Sequence, residues 1–259
     1  MRAKELLKES DKTPHPLEHY SSRTVAKKKG EDEYKPFAIP GLPATREYPA
    51  VDYDNQVVEF LHAKAQKWLK LTANGTVPAW RGAKMYQGAA GLYAFVKPTR
   101  QNRIPLGSPM AMHLAYNAMF KAMGCPANRS NSVFVSGDRD TAAFYGTPYV
   151  IFPMGEFTYV WSQKYDDLMN FRYEDLEKVL KPEAVERDEN DNWMGNIADP
   201  NSYNVKALRT LFSVDKYLMS ALGQTHEVMI KCDEAVYMPE WYYEDQIRPK
   251  LMKELTRVS

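Results

Sequence analysis

Asn131–Gly146, NSVFVSGDRDTAAFYG, is the stretch whose reading decides the fold. Val133, Phe134 and Val135 form a short apolar run of the strand type, and Ser136–Gly137–Asp138 is a turn. Ala142, Ala143 and Phe144 then lie on a short helix. Many α/β and α+β domains contain such a strand–turn–helix. Its weight comes from two other strands, around Arg81 upstream and Glu227 downstream.

Working outward, Asp52–Thr72 puts Val57, Phe60, Leu61, Ala65, Trp68 and Leu71 on one helical face and stops at Asn74–Gly75. Val77–Met85 reads as a strand beginning at a sheet edge, since Pro78 cannot donate to a ladder. Gly91–Lys97 reads as a second strand, and Pro109–Met123 as a helix closed by Gly124. Downstream, Pro148–Pro153 and Phe157–Trp161 flank Met154–Gly155–Glu156 and are expected to form a hairpin. Asp166–Leu180 is expected as one or two short helices, and Val205–Leu222 as one helix with an apolar stripe running from Val205 to Leu222. Glu227–Cys232 and Ala235–Met238 read as strands, and Gln246–Val258 as a C-terminal helix. Helices and strands do not alternate as regular βαβ units, which favours an α+β class over a doubly wound sheet.

Residues 1–50 contain Pro14, Pro16, Pro36, Pro40 and Pro43 among charge blocks, and read as an extended arm after a short helix at Arg2–Glu9. Residues 51–259 are expected to form a single domain. The chain balances 34 basic against 33 acidic residues, so no global field recruits a polyanion. Two cysteines, Cys125 and Cys232, make no disulfide framework and point to a reducing, cytoplasmic setting. No apolar run approaches the ~20 residues of a membrane span, so no membrane partner is expected. The chain has no phosphate loop, dinucleotide glycine motif, serine elbow or HExxH. His15, His19, His62, His113 and His226 show no ligand spacing, and the acidic run Glu183–Asn192 lacks the calcium-loop pattern; no metal is expected.

An ordered trio remains. Trp80-Arg81-Gly82 sets a guanidinium, which can clamp phosphate, beside a glycine that leaves room for a ligand. Phe134-Val135-Ser136-Gly137 puts a hydroxyl at a strand end, where the ordinary role is turn formation. Thr225-His226-Glu227-Val228 opens a strand, and strand alternation would set Thr225 and Glu227 on one face with His226 opposite.

In their order and context, WRG at 80–82, VFVS at 133–136 running into DTAAFYG, and QTHEVMI at 224–230 resemble the ADP-ribosyltransferase fold family, of the class built around Arg, Ser and Glu. The resemblance covers roughly residues 75–235 and marks a divergent member. It implies an α+β fold with a split mixed sheet core and flanking helices, and a cleft between two small sheets that takes NAD as substrate. Arg81, with Gly82 beside it, would hold the NAD diphosphate or the nicotinamide-side ribose. Ser136 would brace the cleft, and Glu227 would hydrogen-bond the nicotinamide ribose with Thr225 alongside. Phe144 or Tyr145 would stack on the nicotinamide ring, the other reading of Phe144 being an ordinary core aromatic. The implied reaction is transfer of ADP-ribose to a macromolecule, a protein in preference to a nucleic acid, with release of nicotinamide.

Two departures bear on the acceptor. Asp138 stands at the third place of the family's serine motif, and Thr225 stands where arginine-modifying members carry a second Glu; Gln224 is out of phase with it. Arginine is therefore not the expected acceptor. Two alternatives stay open: a fold kept without the reaction, presenting the aromatic run Tyr145–Trp161 to a partner, and a nucleic-acid-modifying member with Arg100, Arg103, Arg129 and the basic stretch Arg23–Lys29 as a phosphate track.

Overall fold

A computed structural model describes residues 37–42, 53–83, 93–104, 109–171, 173–185 and 196–258. The arm expected at 1–50, apart from 37–42, and most of the acidic run lie outside these residues. In chain order the elements are β1 (Phe37–Ala38), α1 (Tyr53–Lys64), α2 (Gln66–Leu71), β2 (Trp80–Ala83), β3 (Phe95–Pro98), α3 (Met110–Ala122), β4 (Val133–Ser136) and α4 (Arg139–Phe144). There follow β5 (Thr147–Pro153), β6 (Thr158–Ser162), α5 (Tyr173–Val179), α6 (Pro182–Val185), α7 (Val205–Leu211), β7 (Phe212–Val214) and α8 (Leu218–Gly223). The chain ends with β8 (Glu227–Lys231), β9 (Glu234–Pro239), α9 (Glu240–Tyr242), a π turn at Tyr243–Ile247 and α10 (Arg248–Val258). The architecture is α+β.

Among the described residues the nine strands belong to one sheet, ordered β1-β3-β9-β5-β2-β4-β8-β6-β7, with every paired neighbour antiparallel. The expected mixture of parallel and antiparallel pairing is therefore replaced by a purely antiparallel ladder. Among the described residues the two halves meet at β2 and β4, through the pair Trp80↔Ser136. Val236 and Phe152 from one half share a continuous core with Val133, Ile230 and Tyr159 from the other. A second apolar cluster lies under α3, α5 and α7, where Met119, Leu176 and Leu208 meet Val160 and Met229.

Three expectations give way to long-range pairing. β5 and β6 do not form a hairpin: β5 lies between β9 and β2, while β6 lies between β8 and β7. Met154–Phe157 instead carries the chain from one half of the sheet to the other. The single helix expected over Val205–Leu222 is broken, because Phe212–Ser213–Val214 pairs with β6, and Asp215 and Tyr217 adopt left-handed backbone at φ 52° and 60°. The ladder bonds and burial of Phe212 outweigh the helical stripe. The helix expected at Asp52–Thr72 is likewise interrupted at Ala65, where φ −116° and ψ 24° depart from helix. The C-terminal helix begins earlier than expected and passes through its π turn just before Pro249, whose missing N–H a regular helix would not accommodate.

The organising stretch folds as read. Asp138 caps α4, its carboxylate accepting from Asp140 N at 3.3 Å, Thr141 N at 2.9 Å and the Thr141 hydroxyl at 2.5 Å. These bonds, the Thr141 hydroxyl foremost, hold its carboxyl below the usual range.

Candidate active site

Register places the three motifs side by side. Trp80 pairs with Ser136, and Ser136 pairs with Glu227, so β2, β4 and β8 are consecutive strands at the centre of the sheet. Ser136 is buried and ties the join together: its hydroxyl donates to the Thr225 carbonyl at 3.0 Å and accepts from Asp138 N at 3.1 Å. Gly137 is needed beside it, since a Cβ there would sit 1.6 Å from the Leu222 carbonyl oxygen at the end of α8.

Arg81 lies where β2 and β4 part. Its Nη1 donates to the Phe134 carbonyl at 3.0 Å, across the gap where the ladder stops. Trp80 packs into the main core against Tyr243, so strand alternation sends Arg81 to the opposite face, where Phe134 and Met229 lie. There its charge acts on Arg103, as that of Glu227 does. The Arg103 guanidinium stands 4.5 Å from the Phe134 ring centre, and that of Arg129 stands 5.3 Å from it and 5.2 Å from the Tyr116 ring. Burial, then the charges of Arg81 and Arg129, push the Arg103 guanidinium down to about 10, with Glu227 opposing. Lys97 is lowered to about 7 by burial, then by Arg81 and Arg100. Arg100, Arg103 and Arg129, which the sequence suggested only as a nucleic-acid track, therefore join Arg81 in one electrostatic neighbourhood.

A polar network fixes this loop. Asn117 accepts from Arg129 N at 3.0 Å and donates to the Ser130 hydroxyl at 2.8 Å; His113 Nε2 lies 3.0 Å from the same hydroxyl. Arg103 N donates to the Ser130 carbonyl at 2.7 Å, joining the two arginine-bearing loops. His113 is buried and pushed down to about 4, first by burial and then by Arg129 and Arg103, so it is neutral at pH 7.

Glu227 opens β8. Its N–H donates to the Asp166 carbonyl at 2.7 Å, and its carboxyl accepts from the Leu168 N–H. The residue keeps partial exposure, yet protein closely surrounds its carboxyl group, and Oε2 is buried with no hydrogen-bond partner. The carboxyl group is thus set in low-dielectric surroundings. Burial first, then the charge of Asp167, push it up to about 7, while Arg129, the Leu168 bond and Arg103 pull the other way. Arg129 and Arg103 are the cations that lower the Glu227 carboxyl, residues the sequence named only as part of a nucleic-acid track. The signal that could have found them is weak: single arginines in the loops on either side of α3.

The remaining expected residues are placed differently. Gly82 does not leave room for a ligand, because α4 occupies that approach: a Cβ on Gly82 would lie 1.8 Å from the Ala142 carbonyl oxygen. Thr225 precedes β8 in left-handed backbone at φ 65°, so strand alternation does not reach it; it contributes its carbonyl to Ser136. His226 packs against Trp161 with ring centres 5.3 Å apart and contacts the Tyr165 carbonyl through Nδ1 at 3.0 Å. Phe144 and Tyr145 are 86% and 59% exposed at the end of α4, which excludes a core role and leaves their rings open to a ligand. The Tyr145 hydroxyl reaches Asp167 Oδ2 at 3.4 Å. Beyond α8, a separate depression of about 310 Å³ is lined by Trp161, Gln163, Tyr217, Ser220 and Gln224.

Among the described residues no three His, Cys, Asp or Glu side chains are grouped as metal ligands, and no helix is long and apolar enough to cross a membrane. Comparison with protein-family models, with curated proteins and with solved structures returns no match.

Proposed function

We propose that this site cleaves the nicotinamide–ribose bond of NAD and transfers ADP-ribose to a macromolecule. The observation that carries the reading is a carboxylate at the start of β8 with a buried, unpartnered oxygen, within electrostatic reach of Arg129 and Arg103 from the loops on either side of α3. Breaking the glycosidic bond develops positive charge on the ribose, and ionised Glu227 stabilises that charge. The diphosphate carries two negative charges, which Arg103, Arg129 and Arg81 meet with planar guanidinium forks. Arg103 Nη1, buried without a hydrogen-bond partner, is a donor that such an anion would satisfy. Stacking on Phe144 or Tyr145 holds the nicotinamide ring. Ser136 acts on the site through the Thr225 carbonyl and the turn that sets α4. The ADP-ribosyltransferase-like fold is part of the same proposal, supported by the order Arg81, Ser136, Glu227 across the central strands.

The test is incubation with NAD labelled in the adenosine half, together with a cell lysate, for the wild type and for Glu227→Gln. Label is expected in macromolecular material with matching nicotinamide release, both reduced about 10²–10³-fold in the variant. Undiminished transfer by Glu227→Gln would overturn the assignment.

A further inference from the structure

Beside Glu227 the structure brings in a second carboxylate that the sequence motifs do not contain. Asp167 lies on the segment that follows β6, and this segment is clamped to β8: Glu227 N donates to the Asp166 carbonyl at 2.7 Å, and the Leu168 N–H donates to the Glu227 carboxyl. The Asp166 carboxylate sets the turn, accepting from Asp167 N at 2.9 Å and Asn170 Nδ2 at 3.0 Å. The Tyr116 hydroxyl holds the Leu168 carbonyl from beneath. Asp167 is thereby held between two residues that both bond Glu227, and its charge adds to the burial that raises the Glu227 carboxyl. The two carboxylates differ in setting. Glu227 is enclosed, whereas Asp167 is partly exposed and touches the exposed Tyr145 hydroxyl at 3.4 Å.

Resting on the NAD reading above, we propose that Asp167 is the general base that deprotonates the acceptor. Two carboxylates flanking one glycosidic bond divide the work: one stabilises the ribosyl cation and the other prepares the nucleophile. A lone pair on the acceptor atom attacks C1″ of the nicotinamide ribose. The C1″–N bond breaks with its electron pair passing to the ring nitrogen, so nicotinamide leaves neutral, and the acceptor proton passes to an Asp167 oxygen. A base is needed only for an acceptor with an O–H or N–H proton to lose. The acceptor class is thus a hydroxyl or amide, and not an already ionised carboxylate.

The test is nicotinamide release by wild type, Asp167→Asn and Glu227→Gln, each with and without sodium azide, an anionic nucleophile that carries no proton. Asp167→Asn keeps an oxygen for the Tyr145 hydroxyl and is expected to melt like the wild type. It is expected to lose about 10²–10⁴-fold in release without azide, the range of a general base. Azide is expected to bring release back to within about tenfold of wild type, with ADP-ribosyl azide as product, while Glu227→Gln stays inactive. Asp167→Asn turning over like wild type, or failing to respond to azide with its melt unchanged, would overturn the role of Asp167 alone. A wild type that releases no nicotinamide would end the NAD reading and the role together.

Discussion

Glu227→Gln is expected to stabilise the protein, by an amount that grows as pH rises from 4.5 to about 7. Burial and Asp167 raise the Glu227 carboxyl from 4.5 to about 7 in the folded chain. Below the lower value it is protonated folded and unfolded, and it costs nothing. Between the two values the native state holds a proton that the unfolded chain has released, so stability falls as pH rises. Above about 7 the loss is complete. Each tenfold in proton affinity is worth about 1.4 kcal/mol, which makes the full effect about 3 kcal/mol at pH 8.5 and under about 1 kcal/mol at pH 5. Glutamine keeps the shape without the charge and escapes this cost. In a domain of this size that amounts to a rise of about 6–12 °C in melting temperature at pH 8.5. Paired urea and thermal melts of the two proteins at pH 5 and 8.5 read it, since the other titrating groups largely cancel between them. A difference that is the same at both pH values, or a variant less stable than wild type at pH 8.5, would refute the placement of this carboxylate in a low-dielectric site.

The remaining expectations probe the same architecture. Nicotinamide release should rise as pH passes about 7 and Glu227 ionises; Arg103→Ala, which removes a cation favouring the ionised form, should move that rise to higher pH and weaken ADP-ribose binding measured by calorimetry. Gly82→Ala places a Cβ 1.8 Å from the Ala142 carbonyl oxygen and should cost about 1–3 kcal/mol in urea unfolding as α4 is pushed off β2. Thr225→Gly removes a β-branched residue from left-handed backbone at φ 65° and should stabilise by about 1 kcal/mol in the same assay, since the side chain is exposed and the carbonyl that receives Ser136 stays in place.

What was legible in the sequence is what local chemistry determines. Val133–Ser136 alternates as a strand, and Asp138 stands where a helix cap is required, so the strand–turn–helix around Ser136 could be read directly. The order of Arg81, Ser136 and Glu227 survives because each sits in its own strand. Sheet order is a different matter. PYVIFP and FTYVW look like a hairpin because only a short glycine-containing stretch parts them, and nothing local says that their partners are β9 and β2 on one side and β8 and β7 on the other. Phe212 and Val214 fit a helical stripe equally well, and only the free edge of β6 decides against it. Gly82 did signal a close approach, but a glycine does not say of what, and the neighbour is a helix carbonyl. Arg103, Arg129 and Asp167 take their meaning from neighbours far along the chain, Phe134 and Glu227, and their local sequence carries no motif.

The most direct measurement is a crystal structure of Glu227→Gln soaked with NAD, a variant that should bind the dinucleotide without consuming it. The expected result is a diphosphate within hydrogen-bonding distance of Arg103, Arg129 or Arg81, with the nicotinamide ribose at residue 227 and the ring near Phe144 or Tyr145. NAD bound elsewhere on the molecule, or absent at saturating concentration with this face open to solvent, would contradict a dinucleotide site on these three strands.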